Sequence, residues 1–345
     1  MHNEPPRAPY DWTPSDMPDQ QGRVAVVTGA SSGLGAVVAR ALASRGATVV
    51  MGVRDRGKAE RVLAGIGPEA AARVEVYALE LDDLDSVARF ADAVRADHPS
   101  LHLLVNNAGT VKPAARLSAQ GYQSTFATNH LGHFALTGLL LDRLSQAEQP
   151  RVVSVGSNLY RHLKATLPLD DLAADVPAGR AYVASKLAVL LFADELERRL
   201  RVIGSPVRSL AAHPGVADTP MQQQTGNAAE WLINRALRLA LGRSAEAGAL
   251  PLLFAATAPA APTGVLLGPS LRKHDLRIHA DALVAPATDR ALGARLWSVS
   301  ERATGVSFPP ATPPERRTPA ARTRRGPGRD HLTTLALHPG SLWPA

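Results

Sequence analysis

Thr28-Gly29-Ala30-Ser31-Ser32-Gly33-Leu34-Gly35 follows directly on the β-branched run Val24 to Thr28 and leads at once into an Ala-rich helical pattern, Leu34 to Ser44. A strand, a glycine-rich turn and a helix in that order make a phosphate cradle. Glycine lets the backbone turn tightly and approach a pyrophosphate, and the free N–H groups and dipole of the helix start favour an anion. A glycine pattern alone is a weak signal, but its place at the start of a strand–helix alternation points to a bound dinucleotide rather than a plain turn.

The alternation of strand and helix continues along the chain. Strand candidates are Val24 to Thr28, Thr48 to Gly52, Val74 to Ala78, Leu103 to Asn106, Val152 to Val155 and Val207 to Ala211, with a short seventh at Val265 to Leu267. Helical patterns fall between them: Leu34 to Ser44, Ser86 to Arg95 with apolar Val87, Phe90 and Val94, and a long amphipathic stretch from Ala181 to Arg201. Strands alternating with helices imply right-handed crossovers. The expected fold class is therefore α/β, a Rossmann-like doubly wound parallel sheet of about seven strands with helices on both faces, and ligands at the carboxyl ends of the strands.

The organisation expected is an N-terminal extension over 1–21, one α/β domain over 22–308 and a disordered Pro/Arg-rich tail over 309–345, where no apolar period offsets chain entropy. The chain has 345 residues, 45% of them apolar, no cysteine and a net charge of +7. Lack of cysteine excludes disulfides and thiolate chemistry. The tail holds six arginines against Glu315 and Asp330, a surplus of four, so only +3 is spread over the rest. No nucleic-acid partner is expected, although binding through that tail stays open as a rival. No run long enough for a membrane span or secretory signal is apparent, so a cytoplasmic location is expected.

The second strand ends at Val53 with Arg54 after it. A guanidinium there can pair a ribose 2′-phosphate bidentately, with help from Ser31 or Arg56, so NADP(H) is expected in preference to NAD(H); the alternative is an exposed arginine that begins a helix. Later come Glu80-Leu81 beyond the third strand, Asn106-Asn107-Ala108-Gly109 beyond the fourth, Thr128-Asn129-His130-Leu131-Gly132-His133-Phe134, and His213-Pro214-Gly215-Val216-Ala217-Asp218-Thr219 after the sixth. His130 and His133 lack companion ligands and read as packing residues; no metal is expected.

Tyr182 and Lys186 lie four apart at the start of the long helix, on one face, where an ammonium is expected to lower the phenol pKa. Tyr160 and Lys164 make a second such pair, but Pro168 and the acidic Asp170-Asp171 prevent a long helix there. Ser157 lies just beyond the fifth strand, too close to Tyr160 for the two to face each other across a site, whereas Tyr182 returns after the excursion from 158 to 181.

These motifs, in this order across 22–308, resemble the short-chain dehydrogenase/reductase family, and Asn129 to Phe134 with the wide gap from Ser157 to Tyr182 resembles its retinol-dehydrogenase-like branch. The resemblance implies a nicotinamide cofactor held by Gly29, Ser31, Ser32, Gly33, Leu34, Gly35, Arg54, Glu80, Leu81, Asn106, Asn107, Ala108, Gly109, Tyr182, Lys186, Pro214, Gly215, Val216 and Thr219. It implies catalysis by Asn129, Ser157, Tyr182 and Lys186, with Asn129 holding a water that links the lysine to solvent. Gly156 stands where relatives often have a further serine, and Glu80 where they have aspartate.

The implied activity is carbonyl–alcohol interconversion on a small molecule by a homodimer or homotetramer. The resemblance implies that the apolar stripe Trp231, Leu232, Ile233, Ala236, Leu237 and Leu241, interleaved with Arg235 and Arg238, is a substrate lid over an apolar pocket and that the substrate is lipophilic, while the stripe itself fits a core helix or a subunit contact equally well. A non-catalytic NADP(H)-binding regulator and a related enzyme reducing a C=C bond remain alternatives.

Overall fold

The computed structural model describes residues 9–113, 115–162, 166–215, 243–270 and 275–308. Among the described residues eight strands form one sheet in the order β3-β2-β1-β4-β5-β6-β7-β8. They are β1 (Val24–Thr28), β2 (Thr48–Val53), β3 (Val74–Ala78), β4 (Leu103–Asn106), β5 (Arg151–Val155), β6 (Arg208–Ala212), β7 (Val265–Pro269) and β8 (Ile278–Ala282). The first seven are parallel, with β1 flanked by β2 and β4, so the chain reverses its direction of travel across the sheet at β1. That reversal opens a crevice beyond the carboxyl ends of β1 and β4.

The helices are α1 (Gly33–Ser44), α2 (Arg56–Ala64), α3 (Pro68–Ala71), α4 (Leu84–Asp97), α5 (Ser124–Phe126), α6 (Gly132–Leu144), α7 (Ala178–Val202), α8 (Ala245–Thr257) and α9 (Arg290–Thr304). Strand side chains alternate between faces with period two. Ala25, Val27, Val49 and Met51 therefore pack with Val38 and Leu42 of α1 and Leu253 of α8. Val26, Val50, Leu104 and Val152 pack on the other face with Phe90, Phe134 and Phe192 of α4, α6 and α7.

Among the described residues the sheet has eight strands, one more than the seven expected. The eighth, Ile278–Ala282, pairs antiparallel with β7. An antiparallel neighbour needs no crossover helix, and its half-exposed, partly polar sequence lacks the apolar run of a central strand. Residues 10–20, read as an extension, lie against the domain: Tyr10 bridges to Ile278, and Trp12 and Met17 are buried, with Trp12 meeting the Phe254 ring edge-on at 5.8 Å. Helix α7 starts at Ala178, ahead of the expected Ala181, so Tyr182 and Lys186 lie on consecutive turns.

Val216, Thr219, Lys164, the expected lid at 231–241 and the tail at 309–345 lie outside the described residues. Among the described residues no helix is long and apolar enough to cross a membrane.

Candidate active site

At the carboxyl end of β1, Gly29 and Gly33 adopt left-handed φ values of +66° and +54°. A Cβ on Gly29 would stand 2.9 Å from both Cα and Cβ of Ala108, and one on Gly35 only 2.5 Å from the Gly29 carbonyl oxygen and from Asn107 Nδ2. The cradle therefore exists only because no side chain fills it, and the first-turn N–H groups of α1 lack intrahelical partners. The residues fit a pyrophosphate group.

Thr28 clamps this turn to the loop after β4. Its Oγ1 accepts from Asn107 N and Ala108 N, both at 3.0 Å, and pairs with His133 Nε2 at 2.9 Å, while Asn107 Nδ2 donates to the Thr28 carbonyl at 2.8 Å. Burial drives the His133 pKa down to about 4, so it stands neutral between Thr28 and the Asn129 carbonyl.

From this turn a cleft of about 340 Å³ runs along the strand ends. Gly29, Ser31, Ser32, Gly33, Leu34, Gly35, Arg54, Glu80, Leu81, Asn107, Ala108, Gly109, Ser157, Tyr182, Lys186, Pro214 and Gly215 all line it. Asn106 and Asn129 are not among its walls. Asn106 is the last residue of β4 and its Nδ2 donates inward to Thr137 Oγ1 at 3.0 Å. Alternation at the strand end sends Asn106 into the core and leaves Asn107 on the cleft.

The Asn129 amide is occupied by its neighbours. Oδ1 accepts from Thr110 N at 2.8 Å, and Nδ2 donates to the Thr110 carbonyl at 3.0 Å and to Ser185 Oγ at 2.9 Å. It lies in a one-turn π segment, Ala127–Leu131, between α5 and α6, a local widening of the helix that recurs at functional sites. Here it ties the loop after β4 to the turn of α7 between Tyr182 and Lys186.

At one end of the cleft Arg54 is exposed, and Lys58, one turn into α2, stands beside it on the wall. Asp55 caps α2 by accepting from Lys58 N at 3.0 Å. Arg56 is not on the wall. Along the same side Lys112 Nζ meets Asp82 at 2.5 Å, and Asp82 also accepts from Ser124 Oγ at 2.6 Å. Burial alone would raise the Asp82 carboxyl, but these hydrogen bonds and the ammonium outweigh it and hold the pKa below the usual range. Lys58, Asp82 and Lys112 escaped the sequence reading, although each follows a strand end, where cleft residues of a parallel sheet belong.

At the other end stand Ser157, Tyr182 and Lys186. Lys186 is buried; its Nζ donates to the Val155 carbonyl at 2.7 Å, and burial brings its pKa down to about 8. The Tyr182 phenol is pushed up to about 12 by burial of its hydroxyl, not lowered as the sequence suggested. The ammonium lies 5.9 Å from the ring centroid and spends a hydrogen bond on Val155, so desolvation prevails. Ser157 Oγ accepts from Leu159 N at 3.2 Å, which leaves its O–H free to donate.

Gly156 is glycine because a Cβ there would lie 2.5 Å from Leu190 Cδ2 of α7. His213, neutral with a pKa brought down to about 4 by burial, accepts from Gly215 N at 3.1 Å and shapes the turn at Pro214. Tyr160 is buried outside the cleft, where its hydroxyl accepts from Val284 N at 3.3 Å.

Residues 23–230 match the family model of short chain dehydrogenases. The chain is 39% identical over 309 residues to polyprenol dehydrogenase of Mus musculus, covering 86% of this chain and 88% of that protein. It is 41% identical over 198 residues to human retinol dehydrogenase 12, spanning 56% of this chain and 61% of that one. A solved but uncharacterized Mycobacterium paratuberculosis protein superposes with a TM-score of 0.70 at 40% identity, over 86% of this chain and 99% of its own. A short chain dehydrogenase from Burkholderia cenocepacia in complex with NADP superposes with a TM-score of 0.58 at 27% identity, over 72% and 97%. The chain thus belongs to the short-chain dehydrogenase/reductase family, in its retinol-dehydrogenase-like branch, and is a nicotinamide-dependent oxidoreductase acting on CH–OH or C=O groups.

Proposed function

We propose that the protein interconverts a carbonyl and an alcohol on a small lipophilic molecule with NADP(H), using Tyr182 as proton donor and acceptor. The observation that carries this reading is the single cleft that joins the glycine cradle and Arg54 to Ser157, Tyr182 and Lys186. A non-catalytic regulator would have no need of a phenol, a hydroxyl and an ammonium grouped at one end of that cleft.

Bound in the cleft, the nicotinamide supplies or takes up the hydride. Arg54, with Lys58 beside it, offers two cations for a ribose 2′-phosphate, and no carboxylate replaces Val53 to favour a free 2′-hydroxyl. With a pKa of about 12 the Tyr182 phenol keeps its proton at neutral pH and is ready to give it to a developing alkoxide. Ser157 donates its free O–H to the same oxygen and positions it. Lys186, held by Val155, keeps an ammonium at the base of the site below about pH 8 and feeds protons toward the phenol.

Lipophilicity of the substrate rests on the two relatives, one named for a polyprenol and one for retinol. A turnover screen with NADPH and NADH against alcohols, aldehydes and ketones of increasing chain length tests the reading. Turnover with NADPH that improves with chain length supports it. Turnover confined to C=C reduction, or none with any carbonyl or alcohol, rejects it.

A further inference from the structure

We propose that Tyr160 and Arg161 are positioning residues for Ser157, clamping the turn that aims its hydroxyl onto the chain leaving β8. This rests on the catalytic role proposed for Ser157. The serine sits outside β5 on a short 3-10 turn, Asn158–Arg161, whose first free N–H, that of Leu159, fixes the Oγ at 3.2 Å. A turn of four residues has little stability of its own, so the direction of the O–H depends on what anchors the far end.

Two consecutive side chains provide that anchor. The Tyr160 ring is buried, 3% exposed, in a cluster with Leu187 and Leu191 of α7, next along the helix from Lys186. Its hydroxyl accepts from Val284 N at 3.3 Å, and Arg161 Nη2 donates to the Ala282 carbonyl at 2.6 Å. The Arg161 guanidinium also lies 5.8 Å from the Tyr160 ring centroid. The turn that carries Ser157 is thereby tied at once to the helix that carries Tyr182 and Lys186 and to the end of β8. The Tyr160 hydroxyl bonds to Val284, two residues past the end of β8, and Tyr160 itself lies outside the cleft, so it acts on the site through the turn.

The test uses Tyr160→Phe, which keeps the packed ring, and Arg161→Met, which keeps the stem, with Arg161→Lys as the conservative rescue. Folding is checked by thermal melting, and kcat, substrate KM and NADPH affinity are measured well below the melting temperature. We expect kcat to fall about fivefold in each of the first two variants, with NADPH affinity within twofold of wild type and partial recovery in Arg161→Lys. Amide hydrogen exchange over 157–161 should quicken in Tyr160→Phe while β5 stays protected. A kcat within threefold of wild type in both variants, or unchanged exchange over that turn, overturns the proposal. If the wild-type protein turns over no alcohol or carbonyl, the functional reading has failed instead, and the exchange measurement alone decides whether the clamp exists.

Discussion

Lys186 Nζ donates to the carbonyl oxygen of Val155 across 2.7 Å, joining the N-terminal half of α7 to the end of β5 at the Tyr182 end of the cleft. The ammonium is buried with no carboxylate partner among the described residues, and burial lowers its pKa from 10.5 to about 8. Each unit of such a shift is worth about 1.4 kcal/mol, so the charge costs the folded state on the order of 3 kcal/mol at neutral pH.

Lys186→Met should therefore abolish turnover while leaving the protein as stable as wild type or more so at pH 7, by about 1–3 kcal/mol. The sign follows from proton binding. Between the folded pKa of about 8 and the unfolded value the unfolded chain binds more protons, so wild-type stability rises with pH across that window and the advantage of the variant shrinks. Denaturant titrations at pH 7 and pH 10 check this; a variant markedly less stable at pH 7 contradicts it.

Arg54 and Lys58 are expected to carry cofactor preference. Arg54→Ala should raise the NADPH KM by roughly 10-fold or more, the scale of a lost charge-assisted pair, and leave that for NADH nearly unchanged. Lys58→Ala should do the same to a smaller degree, since its ammonium lies 3.7 Å from Asp55 and is partly neutralised. Initial rates with both cofactors decide the matter, and equal losses for NADPH and NADH would sink the assignment.

Much of this was legible in sequence because it depends on local order. The glycine turn, the strand rhythm and the Tyr182–Lys186 spacing are set by neighbours within a few residues. What escaped depends on distant partners. The polar strand Ile278–Ala282 is held by β7 and by Tyr10. Trp12 gains its burial from Phe254, and Lys112 its meaning from Asp82. The raised Tyr182 pKa is a property of burial, which sequence spacing does not report. Asn106 and Asn107 are identical in type, yet only one reaches the cleft, a distinction that strand alternation carries once the end of β4 is known.

Gly29→Ala should weaken both fold and cofactor binding. The backbone there is left-handed at +66°, and the new methyl would press on Ala108 at 2.9 Å. We expect a stability loss of roughly 1–3 kcal/mol and NADPH affinity lowered by at least 10-fold. Thermal melting with and without NADPH measures both, and an undiminished shift of the melting temperature by NADPH counts against the cradle.

Proton transfer by Tyr182 is probed with Tyr182→Phe, which removes the hydroxyl and keeps the ring. Single-turnover and steady-state rates should be taken with NADPH and the best carbonyl substrate, with cofactor affinity measured in parallel. NADPH binding should be unchanged and kcat lower by roughly 100-fold or more, the scale of general acid catalysis. A Tyr182→Phe enzyme that binds NADPH and turns over within a few-fold of wild type would contradict it.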